Sequence, residues 1–206
     1  MSLNVPIDLA FNCLGADPLA ADHAYALYGA VSRVLPQVHG ENGYALHPIR
    51  GRQVGGRRMI LTPASRLTLR LPADRIGEAL PLAGKSLRIG DATVQIGVPE
   101  VRPLIPAPAL RSRLVTIKGF FEPESFEQAA RRQLNHESLA ISETATITVV
   151  KKRTLRIKDR EIVGFETLLE GLTAEESLRL QEVGIGGRRH LGCGVFVEKK
   201  TAGDRE

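Results

Sequence analysis

The 206-residue chain predicts an α+β fold in which one order of elements, β-α-β-β-α-β, is run twice on antiparallel sheets. Three observations carry this expectation. Short runs with period-two apolar alternation recur through both halves. Two stretches with helical apolar spacing interrupt those runs in each half. Four prolines, at 99, 103, 106 and 108, divide one half from the other.

In the first half, Asn4 to Leu14 alternates Val5, Ile7, Leu9, Phe11 and Cys13 with polar or small residues, as a half-buried strand does. Asp22 is expected to cap a helix running to Leu35, with Ala24, Leu27, Tyr28, Val31, Val34 and Leu35 as its buried stripe and Pro36 as its stop. A loop with Gly40 and Gly43 follows. Tyr44 to Arg52, Arg58 to Thr62 and Ser65 to Leu71 read as extended; in the last, Leu67, Leu69 and Leu71 point inward and Arg66, Thr68 and Arg70 outward. A short helix near Asp74 to Leu80 precedes a hairpin that turns at Gly90-Asp91 and joins Ser86–Ile89 to Ala92–Val98.

The second half repeats the order. Ser112 to Gly119 is a strand, and Pro123 takes the first-turn position of a helix whose stripe is Phe126, Ala129, Ala130 and Leu134. Ala145 to Val150 and Arg153 to Phe165 are strands, the latter turning at Lys158-Asp159-Arg160. Thr173-Ala-Glu-Glu176 is a capping box for the next helix, Gly184 closes it, and Gly194 to Val197 is the final strand. The expected boundaries are therefore 1–98 for an N-terminal domain, 99–110 for a proline-rich linker, 111–198 for a C-terminal domain and 199–206 for a polar tail. Two β-α-β-β-α-β units imply tandem ferredoxin-like, RNA-recognition-motif-like domains, each with helices on one face of its sheet.

Hydrophobic residues make up 43% of the chain and charged residues 25%, as in ordinary globular domains. No apolar run approaches the length of a membrane span and the N-terminus lacks the order of a signal peptide, so a cytoplasmic protein without membrane partners is expected. Cys13 and Cys193 lie in opposite halves, which suits reduced thiols. No CxxC or HExxH spacing offers a metal site, and no metal or other cofactor is expected.

The net charge is +5, and its distribution says more than its sum. Arginines concentrate in three runs, from Arg50 to Arg75, from Arg111 to Lys118 and from Lys151 to Arg160. Arginine binds phosphate through two parallel bonds and stacks on bases, so these runs on strands point to a nucleic acid partner. Arg50, Arg52, Arg66, Arg70, Arg113, Lys118, Lys152, Arg153 and Arg156 are the candidate contacts. Only nine aromatic residues exist, so base stacking is expected to be a minor part of such binding.

The run Gly184-Ile-Gly-Gly-Arg-Arg-His-Leu-Gly-Cys-Gly-Val-Phe-Val197 joins a helix to a strand and resembles a phosphate-holding loop, with Gly186, Gly187, Arg188, Arg189 and His190 as candidate RNA contacts. It ends a helix, whereas a dinucleotide fingerprint begins one. Among the five histidines, His23 is expected in the first helical turn, where the dipole favours a neutral imidazole able to act as a base. His39 lies in the glycine-containing loop after that helix, and Tyr25, off the buried stripe, is placed to reach an exposed site. Tyr28 falls on the buried stripe and reads as core.

The terminal run just quoted resembles the glycine-rich loop of the CRISPR-associated repeat RNA endoribonucleases, the Cas-six family, in its myxan-type branch. Asp22-His-Ala-Tyr-Ala-Leu-Tyr28, Leu35-Pro-Gln-Val-His39, His47-Pro-Ile-Arg-Gly51, Ser65-Arg-Leu-Thr-Leu-Arg70, Ser112-Arg-Leu-Val-Thr-Ile-Lys-Gly119 and Lys152-Arg-Thr-Leu-Arg156 resemble that branch's other blocks in order. The resemblance implies tandem ferredoxin-like domains and an enzyme that cuts each repeat of a CRISPR precursor transcript without metal. It implies attack by the ribose 2′-hydroxyl, leaving a 2′,3′-cyclic phosphate and a 5′-hydroxyl. It further implies that the mature guide RNA stays bound and that effector-complex subunits are partners. His23 and His39 both match positions where the family carries its catalytic histidine, His39 with Tyr25 as the helix tyrosine that the resemblance implies beside it, and His47 stands behind them. A non-catalytic RNA-binding subunit of the same machinery is the alternative reading. In either case the glycine-rich loop is expected to grip RNA while the first domain supplies any chemistry.

Overall fold

The computed structural model describes residues 5–39 and 43–199. Gly40, the start of the first strand at Asn4, and residues 200–206 of the expected tail lie outside them. The chain forms two compact units, one of Met1–Pro103 with His190–Gly192, the other of Leu104–Arg189 with Cys193–Glu206. Among the described residues no helix is long and apolar enough to cross a membrane.

In the first unit, β1 (Pro6–Leu14) is followed by β2 (Leu19–Ala20), α1 (Ala24–Val34), β3 (Ala45–His47), β4 (Arg52–Gly55), β5 (Arg58–Ile60) and β6 (Arg66–Pro72). Then come α2 (Ile76–Ala79), β7 (Ser86–Ile89) and β8 (Ala92–Pro103). The main sheet has the antiparallel order β3-β6-β1-β8-β7, and β2-β5-β4 form a separate three-stranded sheet. Without the β7 addition this is the ferredoxin-like order, with the first and third strands of the motif at the centre. Leu67, Leu69 and Leu71 are fully buried, as their alternation requires. The helix α1 buries Ala24, Leu27, Tyr28, Ala30 and Val31.

In the second unit the elements are β9 (Ala109–Val115), α3 (Pro123–Leu134), β10 (Thr146–Ile157), β11 (Arg160–Glu170), α4 (Ala174–Val183) and β12 (Val197–Glu198). Their sheet order β10-β11-β9-β12 repeats the ferredoxin-like arrangement. Phe126 of α3 meets Phe165 of β11 with ring centroids 4.7 Å apart, in a core that includes Leu110, Val115, Ala129, Ala130, Leu134, Leu169 and Leu180. The Thr173 box is complete: its side chain accepts from the Glu176 amide, and the Glu176 carboxylate accepts from the Thr173 amide at 2.8 Å.

Four local expectations need correction. The cap residue of α1 is His23, not Asp22. The linker expected over 99–110 is partly strand, because β8 continues to Pro103 and pairs with β1 as far as Ile7 opposite Pro103. Proline is tolerated there because β7 pairs with β8 only through Ala92 to Gln95, so beyond that point the outer edge of β8 has no ladder to break. The two strands expected around Lys151 are one strand with a register shift between Val149 and Lys151. The last strand is two residues long and begins only at Val197, since the glycines before it are used in a folded loop.

Candidate active site

The end of α1 fixes the first component. Leu35 precedes proline and leaves helical geometry at φ −121° and ψ 79°. The chain then makes a single 3₁₀ turn over Pro36–Val38, in which the Val38 amide donates to Leu35 and the His39 amide to Pro36. Val38 is buried and anchors that turn; His39, next in line, is exposed. Its Nδ1 lies 2.9 Å from the Tyr28 hydroxyl, and the two rings are 5.7 Å apart with planes 17° apart. The ring of Tyr28 also meets His190, at 4.7 Å and 48°. One tyrosine therefore joins two histidines that are distant in sequence.

His23 is placed differently from its expectation. It is 3% exposed, its Nδ1 is 2.8 Å from the Ala20 carbonyl, and its Nε2 accepts the Ile49 amide at 3.0 Å. An amide can only donate, so Nε2 is unprotonated and Nδ1–H donates to Ala20. Both nitrogens are thus committed to backbone, and the ring ties the start of α1 to β2 and to the segment after β3. The tyrosine recorded against His39 is Tyr28, one helical turn after Tyr25, a buried residue whose hydroxyl meets the imidazole. Sequence periodicity assigns a residue to a face but does not disclose which partner its polar tip meets.

His47 lies on β3 with Nε2 3.6 Å from Asp8 Oδ1, beyond hydrogen-bond length. Burial holds its pKa below the usual histidine value despite the Asp8 charge. Burial alone would raise the Asp8 carboxyl, but His47 and Arg70 outweigh it and hold the group below the ordinary carboxylate range.

Several of the basic candidates are engaged by the fold. Arg70, expected to point outward to RNA, is 2% exposed and bonds Asp8 through two nitrogens at 2.7 and 2.9 Å. Its outer face is covered, and the buried charge persists because the carboxylate directly opposite on β1 neutralises it. Arg66 donates to the Pro63 and Ser65 carbonyls. Arg153 and Arg111 share the buried carboxylate of Glu166, and Lys152 lies 3.7 Å from Glu122. Arg50, Arg52, Arg113, Lys118 and Arg156 are exposed. Among the described residues no three His, Cys, Asp or Glu side chains stand together as a metal site.

The glycine-rich loop is folded on itself more than its composition suggests. The Gly186 amide donates to Gln133, Gly187 to Thr116, Cys193 to Arg188 and Gly194 to Leu114. Those donors are spent on the fold, so the loop is not the open backbone nest that the phosphate expectation requires. Its glycines answer to close approach: a Cβ on Gly194 would come within 2.0 Å of the Ile185 carbonyl, and one on Gly186 within 2.5 Å of Thr116. Gly187 is exposed with open space around it, and Arg188, at φ 65°, is partly exposed with Nη1 3.4 Å from Thr116 Oγ1. Arg189 is partly exposed. A groove of about 420 Å³ within the second unit is lined by Phe120, Arg132, Gln133, His136 and Gly184–Gly186. His136 is occupied there with Ser138, 3.0 Å away.

A family model described as Cas6 Crispr matches residues 7–201. The chain is 39% identical, over 95% of its own length and 83% of the relative's, to the CRISPR-associated endonuclease Cas6 of Myxococcus xanthus. Among solved structures, a Cas6-related protein of Pyrococcus furiosus superposes with a TM-score of 0.62 at 14% identity, covering 94% of this chain and 97% of that one. A protein described as a RAMP protein binding different RNA substrates gives 0.63 at 16% identity, covering 93% and 98%. At such identities these structures speak for the tandem fold, while the family model and the sequence relative speak for descent: the chain belongs to the Cas6 family of CRISPR-associated endonucleases.

Proposed function

We propose that the chain cuts the repeat of CRISPR precursor transcripts by metal-independent attack of a ribose 2′-hydroxyl on the adjacent phosphate, leaving a 2′,3′-cyclic phosphate and a 5′-hydroxyl end. The observation that carries this reading is the exposed His39 imidazole held at 2.9 Å by Tyr28. With Nδ1–H donating to the phenol oxygen, Nε2 is the free lone pair a general base needs. The same bond survives protonation of Nε2, because the phenol still accepts from Nδ1–H. His39, not His23, is therefore the base, and Tyr28, not Tyr25, is its orienting partner. Exposed Arg50, Arg52, Arg113, Lys118 and Arg156 supply cations for the RNA backbone. The product guide RNA stays bound and passes with the protein to effector subunits.

The test is incubation with cognate repeat RNA in EDTA, followed by mapping of both new ends. One cut per repeat with the stated termini is expected. RNA bound tightly but left intact makes the chain a non-catalytic binding subunit, and absence of any salt-dependent binding removes both readings.

The loop arginines act in binding. Arg188→Ala and Arg189→Ala should each weaken RNA affinity and lower the slope of log affinity against log salt by about one unit, as loss of one phosphate contact does. Single-turnover cleavage of fully bound RNA should change little. A large fall in that rate with affinity intact would move the arginines into the reaction itself.

A further inference from the structure

We infer that His190, carried by the glycine-rich loop, is a second catalytic histidine and serves as the acid that protonates the leaving 5′-oxygen. This rests on the reading of His39 as base. In-line displacement places the entering and leaving oxygens on opposite sides of phosphorus, so a base at the 2′-hydroxyl cannot also deliver a proton to the 5′-oxygen in the same step. A second proton-transfer group has to stand nearby. Tyr28 is committed through its hydroxyl to His39, and the other imidazole against its ring is His190, with centroids 4.7 Å apart.

The loop around His190 is built to hold it still. Leu191 is 4% exposed. Gly192, at φ 78°, packs so closely that a Cβ would come within 2.5 Å of the Pro48 ring and 2.9 Å of the Leu46 carbonyl. A single 3₁₀ turn over Arg189–Leu191 is closed by the bond from the Cys193 amide to the Arg188 carbonyl. His190 itself remains partly exposed. A residue whose backbone is fixed on both flanks while it stays partly exposed is pre-positioned in the way a proton-transfer group requires.

The step balances as follows. The 2′-hydroxyl proton passes to His39 Nε2 as the 2′-oxygen–phosphorus bond forms. The phosphorus–5′-oxygen bond breaks, and the 5′-oxygen takes a proton from the His190 imidazolium. Solvent exchange returns both rings to their starting forms.

A bridging sulfur in place of the scissile 5′-oxygen separates the roles, because a thiolate leaves without protonation. Single-turnover rates at saturating protein are to be compared on ordinary repeat RNA and on the 5′-phosphorothiolate form, for wild type, His190→Ala, His190→Gln and His39→Ala. Both His190 variants should be slower by about 10²-fold or more on ordinary RNA and return to within a few-fold of wild type on the sulfur substrate. His39→Ala should stay slow on both. Wild-type rates for the His190 variants on ordinary RNA, failure of sulfur to restore them, or rescue of His39→Ala instead would each overturn the assignment. A wild-type protein that cuts neither substrate would sink the nuclease reading with it, whereas normal wild-type cutting isolates the failure to His190. Agreement between the alanine and glutamine variants, both checked for native circular dichroism, guards against a folding artefact.

Discussion

Single-turnover cleavage by His39→Ala is expected to fall by about 10²- to 10⁴-fold, the usual worth of a positioned general base, with repeat-RNA affinity essentially unchanged. The separation follows from where the side chain sits: exposed at the end of a 3₁₀ turn whose anchoring residue is its neighbour Val38, so truncation removes chemistry without removing packing. Tyr28→Phe should cost less, about tenfold, since it deletes the bond that fixes the tautomer while keeping the buried ring that meets His190.

His23→Ala offers the contrast. It strands the Ile49 amide and the Ala20 carbonyl, so about 1–3 kcal/mol of stability should go, while the folded fraction cuts at the normal rate. The measurement is cleavage rate normalised to native protein, beside a urea curve for each variant. A His23→Ala protein of normal stability that has lost catalysis would reverse the two assignments.

The doubled topology was written in the sequence because it depends on patterns that tertiary contacts reinforce. The Leu67, Leu69, Leu71 alternation, the α3 stripe beginning at Pro123 and the Thr173 box each state locally what the sheet and core then require. What escaped depended on neighbours remote in the chain. Pattern placed Arg70 on the face opposite the leucines but could not say that this face is covered, or that Asp8 would arrive directly across from it on β1. The prolines at 99 and 103 read as a linker because the sequence does not disclose that β7 stops pairing before them. His23 and His39 differ little in sequence as residues flanking one helix; what separates them in the structure is backbone from two separate segments meeting both ring nitrogens of His23. The glycine-rich loop looked like an open cradle, since its composition is the same whether glycines admit a ligand or admit the protein's own carbonyls.

The largest stability effect should come from the ion pair that the pattern misplaced. Removing one partner of a buried pair leaves an uncompensated charge, so Asp8→Ala should destabilise the first unit by about 3–5 kcal/mol. Its carboxylate takes both Arg70 nitrogens on the central strands of the sheet, and the Arg70 side chain is only 3% exposed. The double variant Asp8→Ala/Arg70→Met should recover part of that loss, because an apolar chain of similar length needs no counter-charge. The same site sets an acid dependence. Asp8 is held below its unfolded value, so its contribution is complete above the ordinary carboxylate range and is lost as pH falls through and below it. His47, largely buried and likewise lowered, works in the same direction from a higher starting point. The unfolded chain takes up that proton first, so stability begins to fall as pH drops below about 6.5, the unfolded histidine value. Urea titrations followed by tyrosine fluorescence read this unit alone, since Tyr25, Tyr28 and Tyr44 are the chain's three tyrosines, all lie within it, and there is no tryptophan. Between about pH 5 and pH 2 the wild-type midpoint should decline more steeply than that of the double variant, which keeps His47 but lacks the Asp8–Arg70 pair. Parallel declines, or an Asp8→Ala shift below about 1 kcal/mol, a size typical of exposed pairs, would mean that water reaches this pair and that the sheet does not depend on it.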